Sequence, residues 1–114
     1  MEILNWLETS SIVEEYKIRE YRTFEDGFYI KIKAVLKDKS ELYIREYSDI
    51  NERNYSYHWQ NNNGELIIRW DNSPYHSKLT NAPHHKHEHN KLEPSQEVTL
   101  HDVLKTISKN INIP

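Results

Sequence analysis

The sequence has no cysteine, only two glycines and four prolines in 114 residues. Without cysteine there is no disulfide framework, no thiolate nucleophile and no cysteine-ligated zinc site. No apolar run approaches the ~20 residues that a membrane-crossing helix needs. The N-terminus, Met1-Glu2-Ile3-Leu4-Asn5, carries neither a basic segment nor a long apolar one. No secretory signal is therefore expected, and a cytoplasmic protein fits best. Charge of one sign is also missing: 15 Lys and Arg face 18 Asp and Glu, for a net charge of -3. That balance argues against a general nucleic-acid coating protein and leaves room for a local basic site. A phosphate-binding glycine loop, a Gly-x-Ser-x-Gly elbow and a His-Glu-x-x-His helix are all absent.

What is present is aromatic and alternating. Three Trp, eight Tyr and two Phe supply bulky core material, so a mean hydropathy of -0.94 does not imply disorder. The length suits one domain. Ile3, Leu4 and Leu7 predict a short helix over residues 2–9. From Ile12 the period becomes two. Ile12, Tyr16 and Ile18 lie opposite Glu15, Lys17 and Arg19. After the turn signal Glu25-Asp26-Gly27, residues Phe28, Ile30, Ile32, Ala34 and Leu36 alternate with Tyr29, Lys31, Lys33 and Val35. Leu42 and Ile44 begin a third strand, Tyr55–Gln60 forms a fourth, and Glu65–Asp71 a fifth.

Asn61-Asn62-Asn63-Gly64 is a hairpin signal between the last two. A two-residue loop at Asn63-Gly64 places Tyr57 opposite Trp70, Trp59 opposite Ile68, His58 opposite Arg69 and Ser56 opposite Asp71. The segment 72–94 loses its periodicity, contains three of the four prolines and reads as a long loop. Thr99-Leu100-His101-Asp102 resembles a capping box, and Leu100, Val103, Leu104, Ile107 and Ile111 make one apolar stripe. The expectation is an α+β fold: a five-stranded antiparallel meander, a short N-terminal helix, and a C-terminal helix packed on one sheet face.

Two constellations carry chemistry. Six of the seven histidines lie between Tyr57 and Lys91, densest at His84-His85-Lys86-His87-Glu88-His89. Imidazole titrates near neutral pH and, when neutral, binds metals. The same run also reads as a solvated polar loop, and no cofactor is required by the sequence, although a divalent ion at these histidines is an alternative. The second constellation is His58, Arg69 and Asp71, three ionisable groups on one sheet face. Arg supplies a planar cation suited to phosphate oxygens, and His takes or gives a proton. Ordinary cross-strand polar pairing explains such a face equally well. Arg45 and Tyr47 share its parity. Tyr55, Tyr57, Trp59 and Trp70 share parity with Leu66 and Ile68 and read as core.

The run Tyr55-Ser56-Tyr57-His58-Trp59-Gln60, then Arg69-Trp70-Asp71-Asn72-Ser73-Pro74-Tyr75-His76, then Pro83-His84-His85-Lys86-His87, resembles the TumE family, the toxin-like members of TumE–TumA toxin–antitoxin pairs. The alternating strand ending at Glu46-Tyr47 and the segment Glu93–Leu104 extend the resemblance to roughly residues 12–107. Position 75 is Tyr where the family often has a second His. The resemblance implies a small cytoplasmic toxin component, encoded beside a helix-turn-helix antitoxin of the TumA type.

Small toxins of this size often attack RNA, and the residues permit metal-independent cleavage. One His, from His58, His84, His85 and His87, would deprotonate a ribose 2′-hydroxyl, and a second would protonate the leaving 5′-oxygen. Arg69 with Lys86 would stabilise charge on phosphorus, and Asp71 would orient a His or Arg. Arg45, Tyr47, Asn72, His76 and Lys86 are the expected substrate-binding residues. Two alternatives stay open: a non-enzymatic module acting by protein–protein interaction, and a metal-dependent nuclease using His84, His85 or His87 with Asp71.

Overall fold

A computed structural model describes residues 1–72, 84–88, 91–94 and 97–111, with His85 and residues 91–94 described by backbone alone. Two α-helices and seven β-strands occur among them: α1 (Glu2–Thr9), β1 (Val13–Phe24), β2 (Gly27–Leu36), β3 (Glu41–Ser48), β4 (Arg53–Gln60), β5 (Leu66–Asp71), β6 (His85–Glu88), β7 (Lys91–Pro94) and α2 (Leu100–Ser108). The strands form one antiparallel sheet in chain order, β1 to β7. The α+β class and both helices agree with the expectation. The strand count does not. Residues 85–88 and 91–94, expected as loop, pair as a hairpin and add two strands to the edge left by β5. The reason is cooperative: His-Lys-His-Glu has no apolar alternation of its own, and its strand state is fixed by backbone bonds to β5.

Alternation explains the core. In β2, Ile30, Ile32, Ala34 and Leu36 are buried; in β3, Leu42 and Ile44; in β4, Tyr55, Tyr57 and Trp59; in β5, Ile68 and Trp70. This face meets Ile3 and Leu7 of α1 and Leu100, Val103, Leu104 and Ile107 of α2 in one apolar cluster. The two helices touch through Trp6 and His101, stacked at 5.6 Å. The capping box of α2 is present: the Thr99 hydroxyl accepts from the Asp102 backbone N–H, and the Asp102 carboxylate accepts from the Thr99 N–H. Among the described residues no helix lies on the opposite sheet face, which displays the polar residues of the strands from β2 to β5.

Register fixes what stands beside what. The four pairs expected for β4 and β5 all occur: Ser56 with Asp71, Tyr57 with Trp70, His58 with Arg69 and Trp59 with Ile68. The turn itself differs. The Asn61 N–H donates to the Glu65 carbonyl and the Gly64 N–H to the Asn61 carbonyl, with Gly64 at φ +90°. The loop is thus three residues, 62–64, with glycine in the left-handed position. An irregularity between Trp59 and Gln60 restores the register.

Candidate functional site

On the uncovered face, strands β4, β5 and β6 align one row of side chains: His58 opposite Arg69, and Arg69 opposite His87. Directly opposed residues point to the same side of an antiparallel sheet. With strands about 4.8 Å apart, the two histidine backbones stand roughly 10 Å from each other, with the guanidinium between them. Arg69 Nη1 lies 3.3 Å from His58 Nδ1, and Arg69 Nε donates to Asp71 Oδ2 at 3.0 Å. The same Asp71 oxygen lies 3.9 Å from His87 Nε2. Asp71 is buried, two residues along the strand from Arg69.

The hydrogen-bond roles follow from chemistry. Arginine only donates, so His58 Nδ1 bears the lone pair and the ring proton sits on Nε2. That proton is donated to Gln60 Oε1 at 2.9 Å; Gln60 Nε2 then donates to Glu41 Oε1 at 3.1 Å, and Glu41 Oε2 pairs with Lys33 Nζ at 3.0 Å. Burial holds the His58 pKa below the ordinary histidine value; the Gln60 bond opposes this and the Arg69 charge adds to it. Lys33 holds the Glu41 carboxyl below the usual range. His58 is accordingly a neutral imidazole near pH 7, with a basic nitrogen facing Arg69. A protonated His87 would face the Asp71 carboxylate.

The family model of toxin TumE matches residues 3–111 of this chain. The chain belongs to the TumE toxin family. A toxin family of this kind implies an antitoxin partner. No curated protein and no solved structure matches the chain significantly. Among the described residues, no helix of this TumE-family chain is long and apolar enough to cross a membrane.

The structure sorts the expected site residues of this TumE-family chain into three groups. His58, Arg69, Asp71 and His87 come together, with His85 in register opposite Asp71 and Arg45 in the same concave face. His84 and Lys86 do not join them. The His84 ring stacks on Tyr55 at 5.9 Å, with Nδ1 2.9 Å from the Tyr55 hydroxyl, on the helix-covered side. Lys86 is in register with Trp70, also on that side, and its ammonium lies 3.5 Å from Glu88. The separation has a simple cause. A strand divides odd from even positions, and β6 sends 84 and 86 to one face and 87 to the other.

Two further residues serve the framework. Asn72 is buried; its side-chain oxygen accepts from the Tyr55 N–H at 2.9 Å, and its amide nitrogen donates to the Arg53 carbonyl at 2.6 Å. Both ends of the amide are thus spent on fastening β4. The Tyr47 hydroxyl donates to Asp49 Oδ2 at 2.6 Å, which pushes its pKa up to about 12, and its ring stacks on Phe24. His76 lies outside the described residues. Among the described residues, no three His, Asp or Glu side chains converge as a metal-ligand set.

The uncovered face is concave. Its central depression has a volume of about 670 Å³, and its walls include Arg19, Lys31, Tyr43 and Gln60 beside the expected Arg45, His58 and Arg69. Sequence reading missed Arg19, Lys31, Tyr43 and Gln60. The strand alternation had put Arg19 and Lys31 on the polar face, but it gave no sign that one concavity joins residues from five strands.

Proposed function

We propose that this chain is the toxin of a cytoplasmic toxin–antitoxin pair with a helix-turn-helix antitoxin of the TumA type, and that it cleaves RNA by metal-independent acid–base chemistry at His58, Arg69 and His87. The observation that carries this reading is the row in which two imidazoles flank one guanidinium. In the reaction, Arg69 turns from His58 to a phosphate oxygen. His58 Nδ1, now free, takes the proton of the ribose 2′-hydroxyl. The 2′-oxygen attacks phosphorus and the bond to the 5′-oxygen breaks, giving a 2′,3′-cyclic phosphate. The departing 5′-oxygen takes its proton from His87 Nε2. Asp71 is a positioning residue that holds Arg69 and faces the His87 imidazolium. A depressed pKa suits His58 to the base role, and a nearby carboxylate suits His87 to the acid role.

The test is cleavage of a mixed-sequence RNA by purified protein in chelator. Arg69→Ala should lower the rate by about 10²–10³-fold, as loss of one charge-stabilising donor does. His58→Ala and His87→Ala should each lower it by about 10²–10⁴-fold. His84→Ala, on the far face, should leave it nearly unchanged. Equal cleavage by wild type and all variants removes the assignment, and intact RNA in growth-arrested cells points to a toxin that acts by binding.

A further inference from the structure

We propose that the concave sheet face is a track for single-stranded RNA, in which Tyr43 stacks one base and Lys31, Arg45 and Arg19 hold the neighbouring phosphates; this deepens the ribonuclease reading and rests on it for the identity of the nucleic acid. Four cations, Arg19, Lys31, Arg45 and Arg69, and one carboxylate, Glu20, line this depression. Arg19, Lys31 and Arg45 are exposed and have no ion-pair partner among the described residues, although the chain as a whole is acidic. The one carboxylate in the wall, Glu20, is held by Arg22 at 2.7 Å. By contrast Lys33, just outside, is paired with Glu41.

The register sharpens the point. Lys31 stands directly opposite Arg45. Like charges opposed across two strands repel. Glu20 stands opposite Lys31 on its other side but is bonded to Arg22, and no carboxylate bonds Arg45 among the described residues. An anionic backbone would complete the neutralisation. Ser56, next in the same row and only 5% exposed, lines the depression with a hydroxyl that has no partner among the described residues. It is a ready donor to a phosphate oxygen.

The aromatic is placed to match. Tyr43 is 37% exposed on a core-free face, and its ring lies edge-on to His58 at 6.2 Å. It belongs to the same cross-strand row as His58, Arg69 and His87. A base stacked there puts its adjoining phosphate within about one or two strand spacings, ~5–10 Å, of Arg69. Lys31 and Arg45 lie two residues further along their strands, about 7 Å, at the next phosphate. A depression of about 670 Å³ is the size of a small-ligand site and takes one or two nucleotides. A duplex, whose bases stay stacked inside, offers no free base face to Tyr43.

The experiment is fluorescence anisotropy with a labelled 2′-O-methyl RNA hexamer of mixed sequence, which lacks the attacking hydroxyl and so reports binding without cleavage. Wild type should bind the single strand more tightly than the same hexamer annealed to its complement. Tyr43→Ala should weaken binding by about 5- to 150-fold, the range of one stacked base, and Tyr43→Phe should restore it. Lys31→Ala and Arg45→Ala should each weaken binding and reduce the salt slope by about 0.7. Absence of hexamer binding, equal binding of the duplex, indifference to these substitutions, or capture of a polyglutamate peptide in place of the hexamer would overturn the track. A parallel assay with cleavable RNA separates the two readings. Binding with this pattern and no cleavage overturns the chemistry alone; cleavage without dependence on Tyr43, Lys31 and Arg45 overturns the track alone.

Discussion

His58 shows how one residue's environment decides what it can do. Its Nε2–H is committed to Gln60 and its Nδ1 accepts from Arg69, so the neutral ring satisfies both neighbours. Protonation would set two donors, Arg69 and Nδ1–H, against each other. Burial, above all, and then the Arg69 charge lower the His58 pKa in the folded protein, while the unfolded chain keeps it near 6.5. As pH falls through that unfolded value, the unfolded state takes up protons first and stability drops; above it the contribution is fully present. Urea unfolding midpoints between pH 5 and pH 8 should show this, with a flatter profile for His58→Gln than for wild type. An unchanged slope in the variant would mean that His58 is not held neutral. Apart from this row, Asn72, an expected substrate-binding residue, has both ends of its amide occupied by backbone.

At the scale of elements, turns and registers decide which side chains meet. Gly27 begins β2 immediately after the turn from β1, and a Cβ there would lie 1.8 Å from the Ser48 carbonyl oxygen of β3. No side-chain rotation relieves such a clash, because the obstacle is backbone. Gly27→Ala should cost at least ~2 kcal/mol in denaturant unfolding, the scale of overpacking that moves backbone; a loss below half of that would show that the β2–β3 end can part freely. Strand β1, at the outer edge of the sheet, has register shifts between Val13 and Glu15 and between Ile18 and Glu20. Irregular, charged edges of this kind resist uncontrolled pairing. Simple alternation along residues 12–19 already puts Arg19 on the polar side; the second shift adds Glu20 to it, opposite Lys31.

Across the whole molecule, the two sheet faces hold two separate polar systems. On the helix side, Arg53 binds the buried Glu46 carboxylate through Nε, donates from Nη2 to the Tyr57 hydroxyl at 2.7 Å and the Val98 carbonyl at 2.9 Å, and meets Glu97 at 3.1 Å. Its guanidinium also lies over the Tyr55 ring at 4.5 Å. One residue thus ties β3 and β4 to the segment that leads into α2. Arg53→Ala strands the Glu46 charge in the core and should destabilise by about 3 kcal/mol. The double variant Arg53→Met with Glu46→Leu should recover most of that loss by removing the unpaired charge. Thermal and urea unfolding of the three proteins decides it: a double variant as unstable as Arg53→Ala would show that the hydrogen bonds to Val98 and Tyr57, rather than the ion pair, hold the layers together.

Local pattern alone determined a great deal here. Period-two alternation selected the buried face of β2 through β5, the Leu100–Ile107 stripe selected the face of α2, and the Asn-rich turn led to the pairing of His58 with Arg69. These features depend on neighbours a few residues apart, where backbone geometry leaves few choices. The separation of His84 and Lys86 from His87, the conversion of residues 85–88 and 91–94 from expected loop to strand, the burial of Glu46 with Arg53, and the concavity that gathers Arg19, Lys31, Tyr43 and Arg45 were decided only by tertiary structure. Each depends on which strand edge another segment meets and on how the sheet curves. A polar segment carries no apolar period to announce either one.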